Sequence, residues 1–110
     1  MEENAIVKYR EKMDIIADIL HIVSQKAKKT NIMHRANLNY AVLTRYLGEV
    51  TDASLISFNP SDQYYILTQK GQKFLRHYED YVRTRTQTKK FLKEAKSKKN
   101  NLEKFCSKNK

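Results

Sequence analysis

The sequence predicts a mainly α fold with one small β-hairpin, in the order helix-helix-helix-strand-strand-helix, closing on a long helix. Three observations carry that prediction. Apolar residues recur at spacings of three and four between Ile6 and Val23, the period of one helical face. The 110 residues include only two Gly and one Pro, too few for an all-β fold with a turn signal every ~8–12 residues. One turn cluster, Asn59-Pro60-Ser61-Asp62-Gln63, separates two short apolar runs, as a hairpin requires.

The first helix stacks Ile6, Tyr9, Met13, Ile16, Leu20 and Val23 on one face, broadened by Ile15, Ala17, Ile19 and Ile22. It is therefore expected to be mostly buried, His21 included. Asn4 is its expected cap, and Lys26, Lys28 and Lys29 crowd its end, where cations suit the helix dipole. Thr30 caps a short second helix over 31–37 that carries Ile32, Met33 and Ala36. A turn at 36–39 follows. Asn39 caps a third helix from Tyr40 to about Ala53, with Leu43, Leu47 and Val50 inward and Tyr46 beside them. Two short helices joined by a tight polar turn form a helix-turn-helix. Leu55 to Phe58 and Tyr64 to Leu67 are the hairpin strands. Thr68 caps the last helix, which meets no Gly or Pro after Gly71. It is expected to reach about Ser97, ~29 residues and ~43 Å, with Thr84, Thr86 and Thr88 as weak points. Asn100 is expected to cap a separate last turn holding Leu102, Phe105 and Cys106. This order is that of a winged helix-turn-helix.

Charge divides the chain. Residues 1–82 hold 11 Lys+Arg and 10 Asp+Glu, and residues 83–110 hold 11 Lys+Arg against Glu94 and Glu103. The expected organisation is a winged helix-turn-helix domain over 1–82 and a basic helical extension over 83–110. The net charge of +10 favours a polyanionic partner, most often nucleic acid. The one cysteine excludes a disulfide framework and any multi-thiolate zinc site and suits a reducing compartment. No apolar run approaches a membrane span, and no signal-peptide pattern opens the chain.

The segments KYREKMDIIADIL…AKKTNIMHRANLN (8–39) and YYILTQKGQKFL (64–75) resemble small archaeal winged helix-turn-helix proteins. The chain is similar to the basic ten-kilodalton chromatin-type proteins of Sulfolobus and their thaumarchaeal relatives. The run KKTNIM-x-R-A-N-L-N-Y is the specific part, and the closing L-T-x-K-G is common to many winged helices. The resemblance spans about 8–82. It implies DNA binding and a dimer formed through a long C-terminal helix in an antiparallel coiled coil. Two features depart from the pattern. Ala53-Ser54 stands where relatives carry Gly, so a left-handed residue there costs ~1 kcal/mol. Residues 83–90 are polar where relatives place apolar seam residues.

On the third helix Ala41, Arg45, Gly48 and Asp52 lie opposite the apolar face. This face would enter the major groove, with Arg45 reading guanine or clamping a phosphate and Tyr40 and Thr44 flanking it. Asp52 confines contact to the N-terminal half. Lys28, Lys29 and Thr30 are expected to form a phosphate seat at the second helix, near His34 and Arg35. Asn39 caps its helix and is a further phosphate contact. The hairpin tip has no cation, so Gln63 contacts DNA by hydrogen bonding only. Arg83, Arg85, Lys89 and Lys90 serve the DNA backbone. Tyr78, Tyr81, Val82, Phe91, Leu92 and Ala95 serve dimerisation. His21, His34 and His77 lack metal-ligand spacing, and Cys106 has no evident base. No enzyme activity, cofactor, metal or small-molecule ligand is expected. The reading is a dimeric, cytoplasmic, nucleoid-associated duplex-DNA-binding protein, of chromatin type or a transcription regulator. Its rivals are a protein-interaction winged helix of the transcription machinery and an RNA-binding protein.

Overall fold

Hydrophobic spacing sets the first helix, but a capping interaction sets its start. The computed structural model describes residues 10–107. Helix α1 spans Lys12–Val23, and the backbone N–H of Glu11 donates to the Asp14 carboxylate at 2.9 Å. Arg10 and Glu11 are not helical, so a helix running unbroken from Ile6 is excluded. Asn4, Ile6 and Tyr9 lie outside the described residues. Ile16, Ile19, Leu20 and Val23 are buried at the spacing of one face, joined by Ala17 and Ile22. His21 is exposed, contrary to expectation, because the buried arc is not a full turn.

A two-residue strand, β1 (Ala27–Lys28), comes next. Sequence reading missed it. Helix α2 follows at Lys29–Arg35 with Lys28, not Thr30, at its N-cap. Strand pairing of Lys28 with Tyr64 holds Lys28 extended until the residue before the helix, so Thr30 falls inside the first turn. Arg10 bonds both the Ala36 carbonyl and Asp18, tying the end of α2 to α1. Asn37 adopts φ 56, and Leu38 N–H returns to the Met33 carbonyl at 3.1 Å, a Schellman closure.

Helix α3 (Tyr40–Asp52) has the expected cap: the Asn39 side chain accepts from Val42 N–H at 2.8 Å. Leu43, Tyr46, Leu47 and Val50 are buried. A second Schellman closure ends it, with Ser54 at φ 64 and Leu55 N–H on the Val50 carbonyl at 2.9 Å. Strands β2 (Ile56–Asn59) and β3 (Tyr64–Leu67) form the hairpin. The sheet is antiparallel in the order β1-β3-β2, with Ala27 and Phe58 both paired to Tyr65. Its inner face contributes Ala27 and Ile56 to the core beneath α1 and α3.

Helix α4 spans Gln69–Phe105 without a break. It passes both the expected stop near Ser97 and the expected separate turn at Asn100. Its start is as read: Thr68 Oγ1 accepts from Gly71 N–H at 3.0 Å. The chain divides into two compact units, Met1–Tyr78 and Glu79–Lys110, and α4 supplies residues to both. Leu75 is buried in the first. In the second, the threonines do not interrupt the helix; Thr88 bonds back to the Thr84 carbonyl at 3.0 Å. No helix among the described residues is long and apolar enough to cross a membrane.

Candidate nucleic-acid interface

Because Asn39 starts α3 and Leu43, Leu47 and Val50 turn inward, the opposite face is forced outward. Ala41, Thr44, Arg45, Gly48 and Asp52 are all exposed. Arg45, the only cation of α3, lies over the Tyr46 ring at 5.6 Å, which orients the guanidinium while leaving it in solvent. One turn on, Glu49 pairs with Lys12 at 2.7 Å. Hydrogen bonding to Glu49 and its charge hold the Lys12 ammonium above its usual range.

The other flank of α3 is built from two helices. Tyr40 is 65% exposed, and the Lys29 ammonium lies over its ring at 4.0 Å. A hydrogen bond from Lys29, then its charge, lowers the Tyr40 hydroxyl below the usual tyrosine range. Thr44 donates to the Tyr40 carbonyl at 2.8 Å. Lys29, Tyr40 and Thr44 thus converge at the start of α3. Thr30 and Arg35 are exposed on α2, and Asn39 is occupied as the cap.

Around Lys28, expected from the sequence, the sheet adds Lys26, Tyr64, Phe58 and Tyr65, which sequence reading did not select. Lys26 and Lys28 flank the Tyr64 ring at 4.6 and 5.3 Å. Lys26 also pairs with Asp62 at 3.3 Å. Burial pushes the Asp62 carboxyl up, but the Tyr64 N–H and Lys26 outweigh it, and the net shift is downward. The cations beside the hairpin therefore come from β1 and the residue before it. Gln63, exposed at the tip with φ 61, is as placed by the sequence. Phe58 is 43% exposed and packs on Tyr65 with ring centroids 4.7 Å apart. Between these rings and the Thr44, Gly48 and Thr51 side of α3 lies a groove of about 350 Å³. A strand's two faces are told apart only by its partners, so the sequence offered no signal for this pair.

The remaining expected residues fall elsewhere. Tyr78 is half-buried against the first unit's core and donates to the Asp14 carboxylate. In the second unit, Arg83 pairs with Asp80 and Arg85 lies over Tyr81 at 5.1 Å. Lys89, Lys90, Phe91, Leu92 and Ala95 are exposed, and Val82 is half-buried. Among the described residues no group of three or more His, Cys, Asp or Glu is arranged to hold a metal ion.

Comparison with known proteins agrees with this architecture. The model of a winged helix-turn-helix family matches residues 9–86. An uncharacterized protein of Methanocaldococcus jannaschii is 39% identical over 75 residues, covering 67% of this chain and 35% of that protein. The chain therefore spans about a third of that relative's length. Among solved structures, Sso10a-2, a DNA-binding protein from Sulfolobus solfataricus, is similar at 29% identity and a TM-score of 0.65, covering 84% of this chain and 96% of that one. ZitR of Lactococcus lactis shares the fold at 17% identity and a TM-score of 0.56, covering 92% of this chain and 73% of that one. With three helices, a hairpin and a helix in this order, and a family match across most of its length, the chain belongs to the winged helix-turn-helix family.

Proposed function

We propose that the chain binds duplex DNA through the exposed face of α3 and acts as a homodimer, as a chromatin-type protein or transcription regulator of the nucleoid. The observation that carries this reading is the face itself. Ala41, Thr44 and Gly48 leave α3 slim enough for a major groove, and Arg45 stands on it with its guanidinium in solvent. Similarity to Sso10a-2, described as DNA-binding, supports the same reading. Lys28 and Lys29 beside α3, with Thr30, Arg35, Asn39, Tyr40 and Gln63 around it, supply backbone contacts. Arg83, Arg85, Lys89 and Lys90 add a basic arm.

Dimerisation is supported by the second unit's own surface. Phe91 and Leu92 are 64% and 66% exposed, and Leu102 and Phe105 are also exposed. Phe91, Ala95 and Leu102 follow a four-then-seven spacing on one side of α4, a face that a second copy covers.

The test is a binding titration of duplex DNA across salt concentrations. Affinity is expected to fall with log salt at about −0.9 per phosphate contacted, and Arg45→Ala is expected to cost about 1–3 kcal/mol if it reads a base. Binding indifferent to salt, or a protein partner retained after nuclease treatment with no duplex bound, overturns the reading.

A further inference from the structure

Tyr40 is not explained by the packing of its own domain. It is the first residue of α3, and 65% of its surface is exposed. Leu43, Leu47 and Val50 form the inward face without it, and alanine is the better helix former at an exposed position. The ring holds a cation from another helix instead. The Lys29 ammonium, at the start of α2, stands 4.0 Å from its centroid. That is closer than Lys26 and Lys28 stand to Tyr64, or Arg45 to Tyr46. A hydrogen bond joins the same ammonium to the Tyr40 hydroxyl.

Lys29 is half-buried, whereas Lys26 and Lys28 are exposed. The ion pairs among the described residues of the first unit join Arg10 to Asp18, Lys12 to Glu49 and Lys26 to Asp62, and none includes Lys29. An aromatic face attracts a cation without neutralising it. The ammonium therefore keeps its charge and has N–H donors to spare. A lysine stem free in solvent samples many rotamers and loses them when it grips an anion. Tyrosine is a stiff side chain by comparison. A lysine resting on its ring has lost part of that freedom before any anion arrives.

We propose that Tyr40 is a positioning residue: its ring holds the Lys29 ammonium at the start of α3, where Lys29 takes a phosphate, and Tyr40 acts through Lys29 rather than by touching the duplex. The proposal rests on the duplex-DNA reading above and separates two roles within one pair. Lys29 supplies charge, so it contributes to the salt dependence of binding. Tyr40 supplies order, so it contributes to affinity at any given salt.

The experiment titrates a fluorescent duplex with the whole chain at several salt concentrations. Lys29→Gln is expected to reduce the salt slope by about 0.9. Tyr40→Ala is expected to keep the native slope, hold or raise the melting temperature, and weaken binding about fivefold. Tyr40→Phe, which keeps the ring, is expected to bind within about twofold of native. In the Lys29→Gln background, adding Tyr40→Ala is expected to cost less than about 1.5-fold, because the two residues act as a unit. Proton NMR of the free chain supplies a readout independent of DNA. The ring current displaces the Lys29 ε-methylene resonance, and that displacement is expected to vanish in Tyr40→Ala and persist in Tyr40→Phe. An equal loss from Tyr40→Ala with and without Lys29, a Tyr40→Phe no better than Tyr40→Ala, a binding loss that tracks a lowered melting temperature, or an unmoved Lys29 resonance each overturns the proposal with DNA binding left intact. A native chain that binds no duplex overturns the DNA reading and this proposal together.

Discussion

Ser54 closes α3 at φ 64, a conformation that costs a residue with a Cβ about 1 kcal/mol relative to glycine. Ser54→Gly is expected to stabilise the domain by about 0.5–1 kcal/mol, measured by urea unfolding. The gain is trimmed by the freedom that glycine adds to the unfolded chain. The chain's two glycines respond oppositely to alanine. Gly71 is buried, and a Cβ there would meet the Leu55 carbonyl and the Leu67 side chain, so Gly71→Ala is expected to destabilise by about 1–3 kcal/mol. Gly48→Ala fills open space and is expected to stabilise by about 0.5–1 kcal/mol. A pair of melting curves moving in opposite directions checks both.

Two caps bear on where the helices of the helix-turn-helix begin. Asn39 bonds the Val42 amide, so Asn39→Ala is expected to cost about 1 kcal/mol in thermal unfolding. Thr30 sits within α2 after Lys28 takes the cap position, so Thr30→Ala is expected to be within about 0.5 kcal/mol of native. Equal losses from the two substitutions would contradict the assignment of α2's start. The same logic explains why α4 outruns its expected end. Lys98 and Lys99 are adequate helix formers, and Asn100 and Asn101 are weak ones that do not break a helix already propagating. Phe91→Ser with Leu92→Ser removes two exposed apolar side chains of α4. It is expected to shift sedimentation from dimer to monomer with little loss of helicity.

Across the whole molecule, net charge and the exposed face of α3 reside in different parts of the chain. Residues 83–110 carry 11 Lys+Arg against only Glu94 and Glu103, and residues 1–82 carry 11 against 10 acidic residues, whereas the groove and Arg45 belong to the first unit. Lys89→Gln with Lys90→Gln is expected to weaken binding equally on all sequences and to reduce the salt slope by about 1.8 if both contact phosphate. Arg45→Ala is expected to change discrimination among sequences instead. Salt titrations on two unrelated duplexes separate these outcomes.

Much of this protein was legible without coordinates. Helical period and cap chemistry act over four residues, so Asn39, Leu43, Leu47 and Val50 located α3 and its outward face, and Thr68 located the start of α4. The order of elements and the basic C-terminal stretch were equally local. Tertiary structure alone decided the rest. Strand β1 exists because Ala27 and Lys28 find Tyr65 and Tyr64 far along the chain, and two residues carry no period of their own. That pairing moved the start of α2 and brought Lys26 and Lys28 onto Tyr64. The register of β2 on β3 set Phe58 against Tyr65 and opened the groove over Gly48. Contacts made between distant segments leave no periodic trace in sequence, because neither segment alone contains the surface they form together.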